Sequence, residues 1–418
     1  MDVKDKLAIL ADAAKYDASC ASSGVKRKAE KGGIGNVQNA GICHSYTPDG
    51  RCVSLLKILL TNFCIFDCSY CVNRVSSEVK RAKFTVDEVV KLTMDFYKRN
   101  YIEGLFLSSG VANNADETME EMVLIAKKLR SEEKFGGYIH LKAVAGCSES
   151  LLLKAGLYAD RLSANIELPL QKDLDDLAPA KTHEEIEKSM HAIRDNILES
   201  KEETAKSKKA PVYAPGGQST QMIVGATDSS DRDIMLKASN LYDKQNLKRV
   251  YYSAFSPIPD SDPNLPLVSP PLMREHRLYQ SDWLIRLYGF DVNEVLPPEQ
   301  STLDLDLDPK LAWALRNRGV FPVNLNTAPK ETLLRIPGLG IRNVERIIES
   351  RRFRKIRFED LVKMRVQINK LKFFVITEET KDELKLLDSP FLQSLLTEKH
   401  SVQLDLFDSP ISSITGEV

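Results

Sequence analysis

Val53-Ser-Leu-Leu-Lys-Ile-Leu-Leu60 runs almost directly into Cys64-Ile-Phe-Asp-Cys68-Ser-Tyr-Cys71. The first eight residues are nearly all apolar and β-compatible, which predicts a buried strand over 53–60. The cysteines that follow have the spacing C-x3-C-x2-C, with Tyr70 before the last. Three thiolates at this pitch can hold three irons of a cubane cluster and leave the fourth iron open. Structural zinc wants four ligands; Cys43, His44 or Cys52 are the candidates for the fourth, so zinc stays an alternative at this point.

Outward from this loop, helical and strand-like segments alternate. Helical period marks 86–99, 118–132, 149–157, 182–199 and 231–242, and strands are expected at 102–110, 138–144, 160–168, 220–226 and 249–255. Such alternation implies a parallel sheet, open or curled into a barrel. Residues 3–17 predict a helix with Leu7, Ile9, Leu10 and Ala14 as its apolar stripe; 21–38 is a Ser-, Gly- and Lys-rich loop. A Pro-rich stretch over 257–271 precedes a helix at 272–288.

The chain has 418 residues, 43% hydrophobic and 28% charged, ordinary values for a soluble globular protein. No apolar run approaches the ~20 residues that span a bilayer. The first residues carry no apolar signal core, so the expected location is the cytoplasm, and seven cysteines there argue for thiol or metal chemistry over disulfides.

In parallel barrels chemistry sits where strands finish. Ser108, Ser109 and Gly110 end the second expected strand. Ser163, Asn165 and Glu167 alternate along another, which puts them on one face, where polar groups are costly unless they bind something. Cys147, in Gly146-Cys147-Ser148, is a candidate hydrogen-atom donor at a strand end, or simply a small residue in a turn. Cys20, Cys43 and Cys52 fit no compact motif; they are candidates for an auxiliary cluster or structural thiols.

A second centre of interest lies near the C-terminus. Residues 323–348 read VNLNTAPKETLLRIPGLGIRNVERII, two short helices around Pro337-Gly338-Leu-Gly340. Glycines let a backbone approach a ligand closely, and a helix start presents free N–H groups, so the turn is a candidate phosphate cradle. Arg342 and Arg346 lie one turn apart, and Arg351 and Arg352 extend the surface. Residues 341–357 hold seven Arg or Lys and two Glu, a local +5 in a chain of net charge −1. Polyanions are the expected partners of such a patch. In the aperiodic tail, Gln403-Leu404-Asp-Leu406-Phe407 is an apolar string that needs a docking site.

The cysteine motif after the first strand resembles that of the radical S-adenosylmethionine superfamily over roughly 50–260. The resemblance implies a partial (β/α)6 TIM-like barrel, with a [4Fe–4S] cluster on Cys64, Cys68 and Cys71 and S-adenosyl-L-methionine on the open iron. It implies a 5′-deoxyadenosyl radical that takes hydrogen from substrate. It puts Tyr70 and Gly225, in Gln221-Met-Ile-Val-Gly225, near the adenine. Ser108-Ser109-Gly110 stands where the family often has a Gly-Gly-Glu type motif for the methionyl amine. Ser163, Asn165 and Glu167 are expected at the ribose and carboxylate.

Residues 322–375 resemble a helix-hairpin-helix module, expected here as a small all-α DNA-binding domain. The tail string is similar to the peptide by which bacterial proteins bind the DNA polymerase sliding clamp. Together with AKYDASCASSG and DGRCVSLLKILLTNFC, these features resemble a family of DNA modification or repair proteins of the same superfamily, whose members are usually encoded beside a uracil-DNA-glycosylase-related protein. The expected organisation is 1–50 helix and loop, 51–260 radical core, 261–320 helical connection, 321–375 hairpin domain and 376–418 tail. The rivals are an enzyme acting on tRNA and a non-catalytic recruitment protein with a vestigial cluster.

Overall fold

Seven strands form one sheet in simple chain order: β1 (Ile42–Tyr46), β2 (Cys52–Leu59), β3 (Gly104–Ser108), β4 (Tyr138–Lys142), β5 (Arg161–Ser163), β6 (Gln218–Val224) and β7 (Arg249–Ala254). Strands β2 to β7 pair in parallel and curl into a six-stranded half-barrel, and β1 pairs antiparallel with β2 at the edge. The computed structural model describes residues 1–14, 42–46, 52–258, 262–379 and 382–397, with backbone alone for 42–46 and 52. The loop 21–38, Cys20 and the Gln403–Phe407 string lie outside the described residues.

The strands are apolar on both faces because helices cover the sheet between them. All of β3 is buried. Its Gly104 is a packing requirement: a Cβ there would stand 2.3 Å from the Tyr138 carbonyl oxygen of β4. Helices α1 (Val3–Ala14), α2 (Val86–Lys98), α3 (Ala115–Ser131), α4 (Glu149–Tyr158), α5 (Gln171–Leu177), α6 (His183–Lys206) and α7 (Asp231–Gln245) accompany the strands. Their starts are chemically marked. Thr85 and Glu88 form a capping box on α2, and Asn114 and Thr182 accept from the third backbone N–H of α3 and α6.

Two segments differ from expectation. The strand expected over 160–168 ends at Ser163, and residues 164–168 leave the regular ladder, meeting β6 through side chains at Thr220 and Gln221 and through a Glu167–Met222 bridge. The strand β1 and the helix α5 were not anticipated. Neither shows a clear period: ICHSY mixes polar and apolar residues, and QKDLDDL is only about two mostly polar turns.

The chain divides into two compact units, Met1–Ser229 with Asn240–Pro270, and Ser230–Ser239 with Pro271–Val418. The second contains α8 (Leu272–Tyr288), α9 (Val292–Val295), α10 (Pro309–Arg316), α11 (Lys330–Leu334), α12 (Ile341–Ser350) and α13 (Phe358–Lys363). It is not purely helical. Val323–Asn324 and Val375–Ile376 form a short parallel pair, in which the buried Val323 and Val375 join the two ends of the hairpin segment. Edge-to-face rings from Phe290 through Trp313 and Phe321 to Phe374 run through its core, with centroid separations of 5.3, 6.2 and 4.9 Å.

Candidate active site and basic hairpin

The C-terminal ends of the parallel strands open onto a cavity of about 550 Å³, a size typical of small-molecule sites. Leu59, Ser108, Lys142, Ile223 and Ala254, at or next to the ends of their strands, all line it. So do Cys64, Cys68 and Cys71 together with Tyr70.

The cysteine loop is held open by backbone hydrogen bonding rather than by a core of its own. Thr61 and Asn62 close it against Lys80–Lys83: the Asn62 amide donates to the Lys80 carbonyl at 2.8 Å and accepts from the Ala82 N–H at 2.7 Å. Arg81 reaches back under the loop. Its guanidinium donates to the carbonyls of Asn62, Asn73 (2.8 Å), Arg74 (2.6 Å) and Ser77 (2.9 Å). A planar five-donor fork suits this task, because it satisfies four carbonyls that a loop cannot pair by itself. Gly110 allows β3 to finish against the same loop; a Cβ would lie 2.4 Å from the Phe63 carbonyl oxygen.

Burial pushes the Cys71 thiol up to about 11 and raises Cys68 as well, with Lys181 pulling Cys68 partly back. Metal would have to displace these protons, so loading favours higher pH. Among the described residues no group of three or more His, Cys, Asp or Glu side chains converges on a single-ion site. In a cubane each thiolate binds its own iron, so three cysteines leave the fourth iron open.

Three buried polar atoms on residues lining the cavity have no hydrogen-bond partner: the Tyr70 hydroxyl, Ser108 Oγ and Asn73 Oδ1. The Tyr70 hydroxyl approaches the Cys68 sulfur closely enough to pull its thiol partly back down, although the contact falls short of a full hydrogen bond. Burial holds its phenol far above the usual range, so it is a neutral donor. Orphaned groups of this kind are expected where a polar ligand completes the site.

Close to Tyr70 and Cys68, Glu167 sits at φ +66°, in the left-handed region that non-glycine residues rarely adopt. Its carboxylate meets Lys181 at 2.9 Å, and both line the cavity. Burial alone would push the Lys181 ammonium down, but the Glu167 charge, with Tyr70 and Cys68, holds it well above the ordinary lysine range. Beside them the Asn165 amide donates to Gln221 at 3.2 Å, and Gln221 donates to Ser253 at 2.9 Å, a polar chain across three strand ends.

The sequence-derived candidates therefore divide. Cys64, Cys68, Cys71, Tyr70, Ser108, Ser109, Gly110, Asn165 and Glu167 come together on the cavity wall. Ser163 does not line it: β5 ends there, and its hydroxyl pairs with His140 at 2.9 Å under the Phe106 ring. Gly225 does not line it either. Alternation along β6 presents Gln221 and Ile223 instead. Cys147 lies outside the cavity lining, buried near Tyr213, with its thiol pushed up to about 12 by burial and by Asp116. Arg81, Lys181, Gln221 and Ser253 were missed. The only advance signal was polarity inside or beside apolar strands.

Residues 58–201 match the family model of the radical SAM superfamily. Residues 58–201 thus carry a radical S-adenosylmethionine (SAM) domain, and the cofactors of that family are a [4Fe–4S] cluster and SAM. The residues present fit both: the three cavity-lining thiols would hold the cluster, and Tyr70, Ser108, Asn73, Glu167 and Lys181 would offer polar contacts to SAM. Solved structures similar to this chain include methylornithine synthase (PylB), at 16% identity and TM-score 0.40, covering 49% of this chain and 54% of that one. The [FeFe]-hydrogenase maturase HydG from Carboxydothermus hydrogenoformans matches at 15% identity and TM-score 0.42, covering 55% and 50%. The match thus spans about half the length of those structures. No curated protein matches the chain. Among the described residues no helix is long and apolar enough to cross a membrane.

In the second unit, α11 and α12 flank Pro337-Gly338-Leu339-Gly340. Gly338 has φ +80°, and a Cβ there would press on the Gln367 carbonyl oxygen at 3.0 Å, so the turn needs glycine. Lys310, only 3% exposed, donates to the Leu339 carbonyl at 2.6 Å and lies over the Tyr288 ring. Gly340 is the N-cap of α12 and has no capping side chain. Arg342, Arg346 and Arg352 are exposed on or just beyond α12. Arg351 is different. Its guanidinium donates to the Leu325 and Ala328 carbonyls at 3.0 and 2.7 Å, which makes it a structural clamp.

Proposed function

We propose that this radical SAM enzyme acts on DNA, removing a hydrogen atom from a nucleotide in a modification or repair reaction. The observation that carries the reading is the hairpin: a helix start at Gly340, whose N-cap has no side chain to cap it, beside the exposed cations Arg342, Arg346 and Arg352. Backbone N–H groups and guanidinia at one turn suit phosphate oxygens, and they carry no base preference. Together, cluster and SAM supply a 5′-deoxyadenosyl radical able to take hydrogen from carbon. The cavity lies at strand ends within the barrel, so a flipped or unpaired nucleotide is the fitting substrate.

Retention on duplex DNA and on tRNA at matched salt tests the polymer. Gly340→Glu is expected to abolish retention on DNA while SAM cleavage to 5′-deoxyadenosine continues. Unchanged retention counts against the hairpin as a phosphate cradle. Tighter binding to tRNA than to duplex overturns the DNA assignment. If anaerobically reconstituted protein makes no 5′-deoxyadenosine, the recruitment reading takes over. Two partners belong to the same proposal: the sliding clamp, through Gln403, Leu404, Leu406 and Phe407, and a uracil-DNA-glycosylase-related protein. Deletion of 403–407 is expected to end clamp co-elution and spare both other activities.

A further inference from the structure

We infer that Phe353 is a stacking platform for an unpaired base, so that the second unit binds single-stranded or locally opened DNA in preference to intact duplex. The inference rests on the DNA reading above and adds the state of the strand.

Phe353 is 85% exposed in the loop that follows α12. The loop is not simply loose. On one side Arg351 ties it to the Leu325 and Ala328 carbonyls. On the other, Arg354 grips Asp360 through two bonds of 3.1 and 2.6 Å. Asn326 then pins Ile356, accepting from its N–H at 2.7 Å and donating to its carbonyl at 3.3 Å. Ile356 itself is fully buried. The segment therefore turns one apolar side chain into the core while holding an aromatic ring out in water on a fixed backbone.

The neighbours of the ring select its partner. Arg352 and Lys355 flank it, exposed, and Arg342 and Arg346 precede it on α12. Cations disfavour an apolar protein surface as the occupant, and one ring is too small a patch to hold one. A nucleic acid strand supplies both complements: phosphates for the cations and a flat base for the ring. Intact duplex hides its base faces in the stack, so the ring has a partner only where bases are unpaired. A ring held in place beforehand loses little freedom on binding.

The test uses the full chain and fluorescein-labelled DNA of matched length, single-stranded or as blunt duplex, read by anisotropy. A second readout is the fluorescence of 2-aminopurine placed in the single strand. Phe353→Ala is expected to weaken single-strand binding about tenfold and to abolish the quenching of 2-aminopurine, while duplex binding changes less than about twofold. Phe353→Trp is expected to keep both signals. Equal single-strand binding by wild type and Phe353→Ala overturns the inference, as does an equal loss on both probes. If wild type binds duplex with a steep salt dependence and Phe353→Ala changes nothing, only the stacking role falls. If wild type binds neither probe, the DNA reading falls and this inference falls with it.

Discussion

Lys181 and Glu167 meet at 2.9 Å on the wall of the cavity that Cys64, Cys68 and Cys71 also line. Both side chains are largely withdrawn from water, at 16% and 12% exposure, so neither charge is tolerable alone. Removing one partner of such a pair costs about 3–5 kcal/mol, whereas replacing both with apolar groups can be neutral. Lys181→Met is therefore expected to lower the melting temperature strongly, and Lys181→Met/Glu167→Leu to recover most of it. If the pair serves SAM as well, the recovered double variant still binds SAM weakly in equilibrium dialysis. Full SAM affinity in that variant would leave the pair a purely structural role.

Arg81 organises the loop that presents the cysteines. It satisfies four carbonyls between Asn62 and Ser77. Hydrogen bonds to a charged group contribute about 1.5–3 kcal/mol each, although the four are not additive. Arg81→Ala is expected to reduce iron and sulfide bound after anaerobic reconstitution by more than half, with far-ultraviolet circular dichroism unchanged. Arg81→Lys has too few donors in too compact a head to span the loop, and should fall close to the alanine variant. Full iron loading of Arg81→Ala would show that the loop forms without it.

Much of this was legible beforehand. The C-x3-C-x2-C run, the apolar strands and the Thr85 and Thr182 helix starts depend on neighbours in the chain, so local pattern reveals them. What escaped depends on partners far away. Ser163, Asn165 and Glu167 have strand alternation, but the chain leaves the ladder after Ser163 and places Glu167 at a positive φ, so only two of the three reach the cavity. In the Gln221–Gly225 strand, pattern alone did not single out Gln221, whose role depends on Asn165 and Ser253 on either side of it. Arg351 looked like part of the basic surface because composition counts charges and does not say which of them already bind carbonyls.

The Phe106–His140 stack makes a prediction about Ser163. The rings lie 4.1 Å apart and nearly parallel, and the His140 Nε2 meets the Ser163 hydroxyl at 2.9 Å inside the sheet. Ser163→Ala is expected to cost about 1–2 kcal/mol through a buried histidine nitrogen left without that partner. It should leave SAM affinity unchanged, since Ser163 does not line the cavity. Loss of SAM binding without loss of stability would return Ser163 to the cofactor site.

The hairpin carries its own pH dependence through Lys310. Burial holds this ammonium down to about 7, with Asp308 pulling it partly back, against the ordinary lysine value of 10.5. The unfolded chain therefore binds the proton more readily between about 7 and 10.5, and linkage then requires stability to rise with pH across that window. Below about 7 both states carry the proton and the slope from this group vanishes. The slope is at most about 1.4 kcal/mol per pH unit. Chemical denaturation of wild type and Lys310→Met from pH 6 upward isolates the effect, because every other titration is shared. The difference in unfolding free energy, wild type minus variant, should rise with pH between about 7 and 10 and stay flat below. A flat difference throughout would mean that the Leu339 carbonyl and the Tyr288 ring stabilise the charged form enough to cancel the cost of burial.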